Sequence, residues 1–288
     1  MTELIVDAST PAERDNAERV LRFYAEVVNT RDPAGIPDFA APDFVQHSPF
    51  YGTGQDGLAQ FLTGPLLAAF PDLTVTAELA IAQQDRVLVY PFWRGHHGPT
   101  GEKVELGTAD LFRLRDGRFV EHWDVIEYHE IAPLGFPRPE HDQPKSAPDP
   151  TGTEAQRANL ALLHRYTDEV TVQDYSRAHL FIRPDFRQHD PMIPPGLDGF
   201  KACCEIFRGM APDMHVVVRH LIVGSEYVGA IWDWTGLQED TGAPVIVPTS
   251  DVYRLEDGLL TEHWDRIDYT FVKELFGYHP KQLVTGGR

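Results

Sequence analysis

Cysteine is almost absent from this chain: its 288 residues include only Cys203 and Cys204, side by side. A bridge between neighbours is strained, so a secreted disulfide framework is excluded. The spacing Phe200, Cys203, Cys204, Phe207 instead predicts two small apolar side chains in the buried stripe of a helix. Basic residues are scarce too, 25 Lys and Arg against 44 Asp and Glu, which leaves a net charge of −19. Nucleic acid and anionic membrane surfaces both call for a basic footprint, so neither is an expected partner. No apolar run reaches the ~18 residues of a bilayer span. The opening Met1-Thr2-Glu3-Leu4 has no basic leader, and a cytoplasmic location is the expectation. The thirteen histidines are scattered, with neither a His-x-x-x-His helix nor a Cys/His cluster, so no metal is expected. No Gly-rich phosphate loop and no Gly-x-Ser-x-Gly elbow occur, which argues against nucleotide cofactors and serine hydrolase chemistry. No cofactor is expected.

What the chain does contain is one pattern written twice. Gln46-His47-Ser48-Pro49 returns as Gln188-His189-Asp190-Pro191, and Glu121-His122-Trp123-Asp124 returns as Glu262-His263-Trp264-Asp265. Between these anchors Pro71-Asp72, Trp93, Thr100-Gly101, Asp110 and Asp116-Gly117 recur as Pro212-Asp213, Trp234, Thr241-Gly242, Asp251 and Asp257-Gly258. So many ordered matches mark an internal duplication. Prolines at 133, 137, 139, 144, 148 and 150 separate the copies. Such spacing excludes regular helix and central strand and reads as a semi-rigid linker. The expected division is therefore a first copy at residues 1–136, a linker at 137–150 and a second copy at 151–288.

Each copy opens with a helix signal, Thr10-Pro11-Ala12-Glu13 and Thr153-Glu154-Ala155-Gln156, both capping boxes. A second helix is predicted after each Gly-x-Asp-Gly (Gly54–Gly57, Gly196–Gly199). Three β-rich runs close each copy: Val87–Trp93, Leu106–Leu114 and Phe119–Ile126, then Tyr227–Trp234, Val245–Leu255 and Leu259–Ile267. The last two runs of each copy flank Asp-Gly, a hairpin signal. Helices followed by a meander predict an α+β fold.

The set Gln-His-x-Pro, Gly-x-Asp-Gly, Asp-x-[Phe/Tyr]-Arg and Asp-Gly-x-x-x-Glu-His-Trp-Asp resembles the SnoaL-like polyketide cyclases. These belong to the nuclear transport factor 2-like superfamily, with ketosteroid isomerase and limonene epoxide hydrolase. The resemblance covers roughly residues 15–130 and 157–272. It implies two tandem cone-shaped domains, each a curved antiparallel sheet wrapped on helices around a small-ligand pocket. It also implies that the copies pack as an intrachain pseudo-dimer, with homodimerisation left open. By the same resemblance Asp110 and Asp251 stand at the oxyanion-hole aspartate of the isomerase, and Tyr24 and Tyr166 at its oxyanion tyrosine. Asp190 falls at its base aspartate, where the first copy has Ser48. Asp124 and Asp265 stand near the acid–base aspartate of the cyclases. The hydrolase has an arginine two residues before its first aspartate; here those positions are Thr108 and Thr249.

The residues support this chemistry on their own account. An aspartate within Leu106-Gly107-Thr108-Ala109-Asp110-Leu111-Phe112 is costly to bury ionised, so its carboxyl is expected to become a proton donor near neutrality. The rival reading ties Asp110 to Arg113, and Asp251 to Arg254. Trp93, Phe112, Trp234 and Tyr253 suit the lining of an apolar pocket and equally a plain core. His47 and His189 suit proton transfer, or a backbone bond that shapes the Pro turn. His122 and His263 share a face with the last aspartate of each copy, since they are two residues apart on a strand.

The leading expectation is a cofactor-independent acid–base enzyme, a cyclase or isomerase, acting on a small apolar carbonyl compound of polyketide or terpenoid type in secondary metabolism. The second copy, with Tyr166, Asp190 and Asp251, is the expected working unit. The alternatives are a non-catalytic small-ligand-binding or scaffold protein, and an epoxide or lactone hydrolase with a water held by Asp110–Asp124 or Asp251–Asp265. A geometric condition attaches to any paired-aspartate mechanism. A strict two-residue turn at Asp116-Gly117 with unbroken pairing puts Asp110 opposite Trp123 and turns Asp124 to the other face. Both carboxylates share a pocket only with an odd-length loop or a bulge further along, in each copy.

Overall fold

Thr10 begins the first helix as the sequence predicts. In the computed structural model, which describes residues 4–48, 52–136, 152–171, 175–190 and 193–269, its hydroxyl accepts from the Glu13 backbone N–H. The Glu13 carboxylate accepts in return from the Thr10 backbone N–H. Internal contacts divide the chain into two units, Met1–Pro144 and Lys145–Arg288. The predicted linker 137–150 lies outside the described residues.

In the first unit strand β1 (Ile5–Ala8) precedes helix α1 (Pro11–Phe23). The helix runs on into a π turn over Tyr24–Val28, where the Asn29 N–H donates to the Tyr24 carbonyl. Helix α2 (Ile36–Phe39), strand β2 (Ala40–Gln46) and helix α3 (Gly54–Thr63) follow. Gly64 separates α3 from α4 (Pro65–Ala68), because Pro65 has no N–H to continue the ladder. Strands β3 (Thr74–Gln83), β4 (Arg86–His96), β5 (Lys103–Arg115) and β6 (Arg118–Ile126) then form an antiparallel meander. The six-stranded sheet has the order β1-β3-β4-β5-β6-β2, with β1 and β2 parallel to their neighbours. Val20, Phe23 and Val27 of the first helix pack on Val87, Val89, Phe112 and Phe119 of the sheet. Phe23 meets Phe119 edge to face with ring centroids 5.1 Å apart, a favoured aromatic geometry.

The second unit repeats the plan with α5 (Glu154–Tyr166), capped by Thr153 and Gln156, then β7 (Ile182–Gln188) and α6 (Gly196–Met210). Its meander is β8 (His215–Val223), β9 (Tyr227–Leu237), β10 (Pro244–Glu256) and β11 (Leu259–Ile267). The order of this sheet is β7-β11-β10-β9-β8. Neither sheet is a closed barrel. The architecture is α+β in both units, as expected. Strands β1, β3 and β8 were not foreseen. The alanines of Thr74–Gln83 blur β-branched content, and the strand is buried on both faces at its end. Cys204 is buried, whereas the Cys203 side chain is outside the described set. Among the described residues no helix is long and apolar enough to cross a membrane.

The Gly-x-Asp-Gly signature has a steric cause. Gly54 and Gly196 take left-handed φ values of 76° and 78°. A Cβ on Gly57 falls 1.7 Å from the Gly52 carbonyl oxygen, and one on Gly199 falls 2.1 Å from that of Pro194. The second glycine thus lets the first turn of the helix lie directly on the backbone of the incoming loop.

The hairpins meet the geometric condition by the second of its two routes. Asp116 and Gly117 both have positive φ, 52° and 71°, and Arg115 pairs with Arg118, so the turn is a strict two-residue one. The shift comes further along: Leu114 pairs with Phe119 but Arg113 with Glu121, leaving Val120 as the extra residue of a bulge. Asp110 then lies opposite Asp124, and Phe112 opposite His122. In the second unit Leu255 pairs with Leu260 and Arg254 with Glu262, Thr261 is extra, and Asp251 lies opposite Asp265.

Candidate functional site

Each bulge delivers two aspartates and a histidine to one sheet face, and in each unit they line an apolar cavity. In the first unit a small open cavity is lined by Phe61, Leu66, Trp93, Ile126, Asp110 and Asp124. A second, smaller space also reaches Asp110, beside Tyr24, Gln46, Phe112 and His122. Asp110 is 5% exposed. Its Oδ2 accepts from the Tyr24 hydroxyl at 2.6 Å and from Thr108 Oγ1 at 3.0 Å. Trp93 Nε1 donates to Thr108 Oγ1 at 3.1 Å, which directs the threonine proton toward the carboxyl. His122 Nε2 stands 3.5 Å from Asp110 Oδ1. The π turn in the first helix is what carries Tyr24 to this point, and such bulges often accompany functional sites.

In the second unit a small cavity is lined by Phe200, Trp234, Asp251, Tyr253, His263 and Asp265. Three donors converge on the buried Asp251 carboxyl: Trp232 Nε1 at 2.6 Å and Thr249 Oγ1 at 2.9 Å on Oδ2, and His263 Nε2 at 2.9 Å on Oδ1. Trp232 takes the place that Tyr24 has beside Asp110, and sequence reading missed it, because the matching position of the first copy is Pro91. Tyr166 sits against Tyr253, and burial pushes both phenols well above their ordinary range. Burial likewise raises Asp265 well above the usual carboxylate range, reinforced by the charges of Asp190 and Asp251 and by its hydrogen bond with Asp190. Tyr269 donates to Asp190 Oδ2 at 2.5 Å; this tyrosine also went unnoticed in the sequence.

The structure therefore brings Asp190, Asp251, Asp265 and His263 together in one unit, and Tyr24, Asp110 and His122 in the other. Asp124 lines the first cavity. His47 and His189 stand apart from both aspartate pairs. His47 stacks on Trp123 with ring centroids 4.9 Å apart and lies 3.8 Å from Glu121; burial holds it below its ordinary range. His189 stacks on Trp264 at 4.1 Å and bonds Glu262 at 2.8 Å. The arginines of the rival reading are engaged elsewhere, Arg113 with Glu121 and Arg254 with Glu262.

Spacing in the sequence showed no metal cluster, yet the fold gathers Asp251, His263 and Asp265 with ligand atoms within 4.8 Å of one another. Their surroundings are arranged for a proton instead. A metal on His263 Nε2 needs an acceptor facing Nδ1–H, whereas the Gln188 amide nitrogen faces Nδ1 at 2.8 Å.

Comparison with known proteins agrees with this architecture. The SnoaL-like polyketide cyclase model matches residues 18–133 and the SnoaL-like domain model residues 163–263. Among solved structures, AclR, a proposed hydroxylase from Streptomyces galilaeus, is 30% identical over 43% of this chain and 97% of its own, with a TM-score of 0.38. IdmH, a proposed polyketide cyclase from Streptomyces antibioticus, is 29% identical over 42% of this chain and 99% of its own, with a TM-score of 0.37. A SnoaL-like protein from Jannaschia sp. CCS1 is 23% identical over 45% and 99%, with a TM-score of 0.40. No curated protein sequence matches the chain. With one family model on each copy of the duplicated pattern, the chain carries two SnoaL-like domains in tandem, the first matching the SnoaL-like polyketide cyclase model and the second the SnoaL-like domain model.

Proposed function

We propose that the second unit is a cofactor-independent acid–base catalyst, a cyclase or isomerase for a small apolar carbonyl compound of polyketide or terpenoid type. The observation that carries this reading is the facing pair Asp251 and Asp265 at an apolar cavity, with the Asp265 carboxyl raised by burial and by the charges of Asp190 and Asp251. This reverses the roles expected from the sequence, where Asp251 was the neutral acid and Asp190 the base: Asp251, held by three donors, presents a carboxylate that takes a proton α to the carbonyl. Asp265, kept neutral by burial and by its neighbours, donates to the oxygen on which enolate charge develops. Before substrate enters, the single Asp265 O–H is held by Asp190, and it turns from Asp190 to the substrate oxygen on binding. Trp234, Phe200 and Tyr253 exclude water and hold the apolar body of the substrate.

The test is deuterium incorporation from D2O at the α-carbon of β-dicarbonyl model compounds, followed by NMR. General acid–base groups contribute ~10²–10⁴-fold. Asp251→Asn and Asp265→Asn are each expected to lower the exchange rate by that order, and Asp110→Asn to change it far less. Equal losses from Asp110→Asn and Asp251→Asn would mean two working sites, and no loss from any of the three would overturn the reading.

A further inference from the structure

The glutamine of Gln-His-x-Pro makes a different bond in each copy, and the difference fixes where a proton sits. In both copies a backbone N–H, which can only donate, identifies the amide oxygen. Ser48 N–H donates to Gln46 Oε1 at 2.7 Å, and Asp190 N–H donates to Gln188 Oε1 at 3.1 Å. The orientation of each amide follows from its hydrogen-bond network.

The histidines then read opposite signals. His122 Nδ1 lies 2.8 Å from Gln46 Oε1, the same oxygen that Ser48 holds. An oxygen there accepts, so Nδ1 carries the proton. His122 Nε2 is left facing Asp110 Oδ1 across 3.5 Å, buried and without a hydrogen-bond partner. With its proton on Nδ1, the neutral His122 ring leaves its lone pair on Nε2. In the second copy the atom 2.8 Å from His263 Nδ1 is the amide nitrogen of Gln188. A nitrogen there donates, so Nδ1 holds the lone pair and Nε2 carries the proton, which it gives to Asp251 Oδ1 at 2.9 Å. His122 packs on Phe112, and His263 on Phe186, Phe200 and Tyr253.

We propose that Gln46 and Gln188 are positioning residues that set opposite tautomers, making His122 Nε2 a proton acceptor in the first pocket and His263 Nε2 a proton donor in the second. The two His–Asp pairs, the same in composition, thus have opposite polarity. In the first pocket His122 Nε2 offers its lone pair from a buried position beside Asp110 Oδ1. The second offers no histidine lone pair and holds Asp251 as the base. That last consequence rests on the acid–base reading above; the tautomer assignment does not.

Long-range ¹H–¹⁵N spectra of the full chain labelled at histidine nitrogen decide the matter, with resonances assigned through His122→Asn and His263→Asn. The expected spectrum has His122 protonated at Nδ1 and His263 at Nε2. The same tautomer in both overturns the proposal, whatever the activity. Gln188→Glu replaces the amide donor with an acceptor and is expected to move the His263 proton to Nδ1 while leaving the His122 signals in place. An unmoved His263 proton in a variant with the wild-type circular dichroism spectrum would also overturn it. Exchange of β-dicarbonyl probes by the same variant is a separate readout. A tautomer shift with unchanged exchange upholds the positioning role and counts against Asp251 as the base.

Discussion

Asp265 is the residue on which stability and chemistry pull in opposite directions. Its carboxyl is held well above the ordinary range by burial first, and then by Asp190 and Asp251. A carboxyl whose pKa is higher in the folded than in the unfolded chain binds more protons when folded. Its contribution to stability is therefore complete below the unfolded value near ~3.9 and is lost as pH rises through the folded value. Asp265→Asn removes that loss while keeping an N–H able to donate to Asp190. The expected outcome is a Tm raised by roughly 2–4 °C at pH 7, about 1 kcal/mol for a chain of this size, with the gain shrinking toward pH 4. Thermal melts across that range check it, and a gain that grows on acidification would contradict the assignment. The same substitution is expected to lower exchange by ~10²–10⁴-fold, the usual trade between activity and stability. Much of this site was legible beforehand: Asp110 and Asp251 stood out as carboxyls inside apolar strands, and Asp124 and Asp265 through the repeat and the family resemblance. Trp232 and Tyr269 did not, because a tryptophan in a strand reads as core until its N–H is seen to aim at a carboxylate.

At the scale of elements, the hairpin bulges and the helix entries do most of the positioning. Val120 and Thr261 are the extra residues that turn Asp124 and Asp265 to the side of Asp110 and Asp251. The need for such a shift followed from side-chain alternation alone, but its place did not. A two-residue turn with left-handed Asp and Gly and a longer loop are both compatible with Asp-Gly, and only strand pairing distinguishes them. The helix entries offer a sharper test. Gly196 is left-handed with open space where a Cβ would stand, whereas at Gly199 that Cβ meets the backbone of Pro194. Gly196→Ala is expected to cost about 1–2 kcal/mol, the left-handed penalty of an L-residue. Gly199→Ala should cost at least as much again, because the start of α6 has to move off the loop. Denaturant titrations rank the two, and a reversed order would refute the steric account.

For the whole molecule, the duplication leaves two pockets of one descent and different wiring. In the first, Tyr24 and Thr108 bond the aspartate; in the second, Trp232, Thr249 and His263 do so. The expectation from the sequence that the copies pair within one particle is open to small-angle scattering of the intact chain. One compact envelope is the expected outcome, and two separated lobes would count against it. The repeat, the α+β class, the capped helices and the identity of the carboxyls were determined by the sequence itself, because each depends on residue type at short range: propensity, capping, alternation and turn chemistry. Tertiary structure alone decided the rest. Which face an aspartate meets depends on a bulge set by cross-strand pairing. Which nitrogen of a histidine carries its proton depends on an amide 75 or 76 residues away in the chain, whose orientation is fixed only once a parallel strand has brought it alongside.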